Sequence, residues 1–166
     1  TEKRPDTGSE YVRETYIESD LELMFPPTYI PNDSERVSLY RELDKMEEER
    51  DILAFTERLK DRFGKVPKEG KELIRVVRLR RMAKMLGMEK VILKKGQMSI
   101  FLVTNPNSPY YESEAFDKLL SFIQKHPREC MLREQNGKRS IVIKNVPTVE
   151  VACGYLDEIG KEQIQK

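Results

Sequence analysis

Leu59-Lys60-Asp61-Arg62-Phe63-Gly64-Lys65-Val66-Pro67 is the stretch where one helix has to end and another begin. Upstream of it, Ile52, Phe55, Leu59 and Phe63 recur at spacings of three and four. At about 100° per residue they make one narrow apolar stripe. Glu57 and Asp61 point away from that stripe, and Arg62 lies on its flank. Gly64 supplies the permissive backbone that closes a helix, and Pro67 suits the first turn of the next one. The stretch therefore turns the chain and presents a charged face.

The chain toward the N-terminus follows from this turn. Residues 1–9 are polar, contain Pro5 and Gly8, and predict a disordered linker. Tyr11–Glu18 is rich in strand formers and predicts an extended segment through about Leu23. The prolines of Phe25–Pro31 restrict their predecessors and predict an extended strap with Phe25, Tyr29 and Ile30 inward. Asn32-Asp33-Ser34-Glu35 signals a helix start, and that first helix runs to about Lys45. The acids from Glu47 to Asp51 begin the second helix, which ends at Gly64.

Downstream, a third and most apolar helix spans about Pro67–Leu86. Apolar residues occupy much of its circumference, which predicts contact on several sides. The period then changes. Met88–Leu93 and Gln97–Val103 read as strands around Lys94-Lys95-Gly96, and Cys130–Glu134 and Ser140–Lys144 as a second pair around Asn136-Gly137. Ser113 caps a helix between the pairs, and Pro147-Thr148 starts a last one. The expected fold is α+β: an N-terminal extended segment and three helices, then β-β-α-β-β-α, with a mainly antiparallel sheet packed on helices. Residues 10–166 read as a single domain of this kind.

With 38% hydrophobic and 36% charged residues over 166 positions, the chain can bury one reasonable core. No apolar run approaches the roughly 20 residues needed to cross a bilayer, and no leader opens the chain. Cys130 and Cys153 form no CxxC and read as reduced thiols, which points to the cytoplasm and no membrane. His126 is the only histidine, which argues against a zinc site. Residues 1–51 hold 7 Lys/Arg against 15 Asp/Glu, and residues 58–95 hold 14 against 4. The basic middle can face the acidic front or solvent, or meet an acidic partner or nucleic acid.

No catalytic constellation stands out. Gly70-Lys71 is followed by Glu72 where a phosphate loop needs Ser or Thr, and GxSxG, HExxH and EF-hand patterns are absent. A cysteine nucleophile would need Cys130 or Cys153 beside His126. Arg75, Arg78, Arg80, Arg81 and Lys84 offer phosphate contacts on the third helix. They do not share one face, and snorkelling around a buried helix explains them equally well. Three readings stay open: a docking module using the charged face, a nucleic-acid module using the basic helix, and a small enzyme with a composite site.

Several segments agree in order and spacing with one family. Phe25-Pro26-Pro27-Thr28-Tyr29-Ile30-Pro31, Arg36-Val37-Ser38-Leu39-Tyr40, Leu59–Pro67, Arg78-Leu79 and Leu86-Gly87-Met88 together resemble the C-terminal domain of the bacterial transcription-repair coupling factors (the Mfd family). The resemblance runs from about Glu18 to the C-terminus. It implies a non-catalytic module of an ATP-driven DNA translocase that displaces stalled RNA polymerase and recruits excision repair. By the resemblance this module docks on the parent's N-terminal UvrB-like module and masks the UvrA-binding surface, an autoinhibitory arrangement. Double-stranded DNA, ATP and magnesium would be bound elsewhere in the parent, and no cofactor in this domain. The implied docking face is the helix before the Asp61-Arg62-Phe63-Gly64 turn. Asp61 and Arg62 match directly. An acid is implied at Arg58, where this chain is basic with Glu57 beside it, so the docking set is Glu57, Arg58, Asp61 and Arg62.

Overall fold

Asn32, Ser113 and Thr148 open three helices by the same means. A side-chain oxygen accepts a hydrogen bond from the backbone N–H three residues on: Glu35 at 2.9 Å, Phe116 at 3.3 Å and Val151 at 3.1 Å. In the computed structural model, which describes residues 8–164, the described residues form five α-helices. These are α1 (Asp33–Asp44), α2 (Glu49–Phe63), α3 (Lys68–Met85), α4 (Glu114–Lys125) and α5 (Val149–Gly160). Gly64 ends α2 at φ +86°, and Gly87 follows α3 at φ +76°, both in the region that favours glycine. No helix among the described residues is long and apolar enough to cross a membrane.

The five strands are β1 (Tyr16–Ser19), β2 (Met88–Lys94), β3 (Gln97–Leu102), β4 (Cys130–Gln135) and β5 (Lys138–Ile143). They form one sheet in the order β1-β2-β3-β5-β4. β1 runs parallel to β2, and every other pairing is antiparallel. Lys95-Gly96 and Asn136-Gly137 all have positive φ, as two-residue hairpin turns of the primed type require. The α+β class and the mainly antiparallel sheet are as the sequence predicts.

The chain divides into two compact units, with the boundary inside α3 between Arg78 and Leu79. The unit Glu22–Arg78 has its own core of Phe25, Ile30, Leu43, Ile52, Phe55, Leu59, Val66, Ile74 and Val77. Each large side chain buried there contributes roughly 1.5–3 kcal/mol. Gly70 is buried in this unit because a Cβ would come within 3.0 Å of the Phe25 ring. It is a close-packing glycine rather than a phosphate-loop residue.

The other unit holds the sheet with α4 and α5. Two cross-strand rows, Val91–Ile100–Ile141 and Leu93–Met98–Ile143, bury one side of the sheet. Ala115, Leu119 and Phe122 of α4 and Val149, Ala152, Leu156 and Ile159 of α5 are the buried residues of the two helices. A bulge between Met88 and Lys90 shifts register, so Met88 is buried together with Val91 and Leu93.

The N-terminal region differs from expectation in three places. The predicted linker lies outside the described residues up to residue 7, but Gly8–Glu10 is a 3-10 turn. A Cβ at Gly8 would sit 2.1 Å from the Gly87 backbone nitrogen. The extended segment is shorter than predicted: only Tyr16–Ser19 finds a strand partner. Phe25–Pro31 is not an extended strap. The Pro26 carbonyl accepts from Tyr29 N at 2.9 Å and Ile30 N at 3.0 Å, closing a turn around Pro27. Proline's fixed φ suits the second position of such a turn as well as it suits a strand. Phe25 and Ile30 are still buried, as expected.

Candidate functional site

The turn at Gly64 is built by two distant parts of the sequence. The Tyr29 hydroxyl donates to the Gly64 carbonyl at 2.7 Å and lies 3.3 Å from that of Leu59. It thus satisfies the Gly64 carbonyl just past the end of α2 and comes within reach of the Leu59 carbonyl in the last turn. Its ring packs on Phe63 with centroids 5.7 Å apart. Arg36 donates to the Ile30 carbonyl at 2.8 Å. The Tyr40 ring stacks on Phe25 at 5.4 Å, and its hydroxyl accepts from Phe25 N at 2.9 Å. Tyr29, Arg36 and Tyr40 of the quoted motifs therefore hold the turn and its neighbours in place.

The exposed charges of α2 fall into two groups by their direction. Arg58 and Arg62, one turn apart, lean toward α1. Arg58 pairs with Glu42 and lies over the Phe55 ring at 5.6 Å. Arg62 reaches Glu35 with both guanidinium nitrogens, Nη1–Oε1 2.5 Å and Nη2–Oε2 3.1 Å, and lies 5.0 Å from the Phe63 centroid. The first of these approaches is an ion pair by distance but is not aligned as a hydrogen bond. The buried Glu35 Oε1 is left without one. Glu57 and Asp61, also one turn apart, point outward. Among the described residues Glu57 pairs only with Lys60, at 3.4 Å. Asp61 is exposed and makes no side-chain hydrogen bond or ion pair among the described residues.

Below these charges lies a groove of about 460 Å³ floored by Leu39, Phe55, Leu59 and Phe63 and rimmed by Glu35, Arg58, Asp61 and Arg62. Arg58 also lines a second groove of about 790 Å³ with Arg41, Glu42 and Asp51. Sequence reasoning names the four α2 residues but not Glu35 and Glu42, which pair with Arg62 and Arg58. Their seven-residue spacing on α1 was the available signal, because it sets both on one helix face.

The basic helix is used differently. Arg75 pairs with Glu72 at 3.2 Å, and Arg78 with Glu49 at 2.8 Å. Arg80 and Lys84 are half-buried, and Arg81 is exposed. His126 stacks on Phe122 with centroids 4.1 Å apart, its Nδ1 2.9 Å from the Phe122 carbonyl oxygen. Cys130 is half-buried, and burial raises its thiol pKa.

A profile of the TRCF domain family matches residues 19–113, more than half of the chain and all of the motif segments above. The chain belongs to the TRCF domain family. Among curated relatives, the transcription-repair-coupling factor of Rickettsia prowazekii (strain Madrid E) is 23% identical over 135 residues, 80% of this chain and 11% of the relative. That of Escherichia coli (strain K12) is 27% identical over 121 residues, 72% of this chain and 10% of the relative. This TRCF domain thus spans about a tenth of the length of the curated relatives it matches. A crystal structure of the C-terminal domain of transcription-repair coupling factor shares its fold. The TM-score is 0.67 at 16% identity, covering 90% of this chain and 98% of that one.

Proposed function

We propose that this TRCF domain is a non-catalytic regulatory module of a DNA-translocating parent that couples transcription to repair. In this reading it docks on the parent's N-terminal UvrB-like module. Docking masks the surface that recruits UvrA and restrains the motor until RNA polymerase is engaged. The observation that carries it is Asp61, an exposed carboxylate without a partner among the described residues, at the rim of a groove floored by apolar side chains. The neighbouring arginines are already held by Glu35 and Glu42. A partner surface with a basic residue over Asp61 and an apolar side chain in the groove completes both.

Such a contact suits a lock that opens. Each rim ion pair contributes roughly 0.2–1 kcal/mol, more when desolvated, so a few pairs bias a two-state equilibrium without freezing it. The test is calorimetric titration of the 166-residue chain with the parent's N-terminal module. Asp61→Lys should weaken binding by about fivefold to tenfold at unchanged circular dichroism, with half that effect or less for Asp61→Asn. Equal affinities for all three chains would end this assignment.

A further inference from the structure

One side of the sheet is largely open, with Val142 the buried strand residue on it among the described residues. The register places Tyr16, Lys90, Phe101, Ser140 and Arg133 in a single row across all five strands on the side opposite the buried rows. Tyr16 is 60% exposed and Phe101 is half-buried. They lie two strands apart, roughly 10 Å, with Lys90 between them. Lys94 and Lys138 stand on the same face, one at each hairpin. The acids there are few. Glu18 is shared by Lys90 at 2.9 Å and Lys94 at 3.6 Å, and Glu14 accepts from the Tyr16 hydroxyl at 3.3 Å. Arg133 and Lys138 are exposed and make no side-chain hydrogen bond or ion pair among the described residues.

A partner for this face must bring negative charge and flat apolar surface together. We propose that the open face binds single-stranded nucleic acid, with bases resting on Tyr16 and Phe101 and phosphates on Lys90, Arg133 and Lys138. A row of aromatic and basic side chains on an open sheet is a surface on which unpaired bases stack. An acidic peptide would use the cations but not the rings. It would also need a groove for its side chains, and the grooves along α1 and α2 and beside α4 and α5 are lined by other residues. This surface shares no residue with the α2 face, so it stands or falls independently of the docking proposal.

The experiment is fluorescence anisotropy of the full chain with labelled oligo-dT of about 20 nucleotides across a salt series. Binding should weaken steadily with salt. Tyr16→Ala should weaken it about tenfold, and Phe101→Leu, which keeps an apolar side chain, several-fold. Arg133→Glu combined with Lys138→Glu should weaken it further and lower the log–log salt slope by about 1.4, two phosphate contacts on a single strand. Arg80→Ala with Arg81→Ala should leave it unchanged. Circular dichroism confirms the fold of each variant. Any of three results overturns the proposal: no binding at low salt, binding that follows the Arg80 and Arg81 pair instead, or polyglutamate binding as tightly as the oligonucleotide.

Discussion

Gly87 shows how much one residue can decide. Its backbone sits at φ +76°, and a Cβ there would fall 2.1 Å from the Tyr110 ring. The Tyr110 hydroxyl donates to the Leu86 carbonyl at 2.8 Å, so the ring cannot swing away without losing a buried hydrogen bond. Gly87→Ala combines left-handed strain with a clash and should cost about 3 kcal/mol or more, read as a lower urea midpoint at unchanged slope. Tyr29 makes the opposite kind of contribution. Tyr29→Phe keeps the packing on Phe63 but leaves the Gly64 carbonyl without this donor. It should cost about 1 kcal/mol in the same measurement. Hydrogen exchange should rise in the last turn of α2 before it rises elsewhere.

The helices and hairpins were legible because their signals are local. Ser113, the Asn136-Gly137 pair and the glycine after Phe63 each fix a boundary through their own backbone and near neighbours. Ser113→Ala removes the cap of α4 and the hydroxyl that donates to the Tyr110 carbonyl. Since Ser113 is buried, the loss should lie near the upper end of the cap range, about 2 kcal/mol by chemical denaturation. Phe25–Pro31 was misread because proline's φ is compatible with both a turn and an extended chain. What decides is the Pro26 carbonyl, which two later amides can reach only once the chain folds back. Gly8 was read as linker because nothing local requires it. Its need for close approach arises from the backbone of Gly87, far away in sequence.

At the scale of the whole molecule, pH reports on groups that the fold has shifted. Burial raises the Tyr110 pKa far above the usual tyrosine value near 10. The unfolded chain loses this proton above pH 10 and the folded chain does not. Tyr110's contribution is therefore intact below pH 10 and lost as pH rises past it. Urea midpoints between about pH 8 and 11 should fall more steeply for the parent chain than for Tyr110→Phe. Glu18 shifts the other way, held below its ordinary value chiefly by its hydrogen bond from Lys90. Its contribution is present above the unfolded carboxylate pKa and is lost as pH falls through the lower folded one. Lys90→Met should flatten that acid limb.

The sequence by itself determined the element order, the helix ends, the hairpin turns and which face of α2 is charged. Each of these rests on periodicity, capping or backbone freedom within a few residues. Only the tertiary structure decided which charges on that face are already used. Glu35 and Glu42 meet Arg62 and Arg58 across two helices and leave Asp61 outward. The same holds for the sheet: β1 is separated from β2 by about 70 residues, and strand order sets Tyr16 beside Lys90 and Phe101. Coulomb attraction, packing and register act through space, and separation along the chain does not encode them.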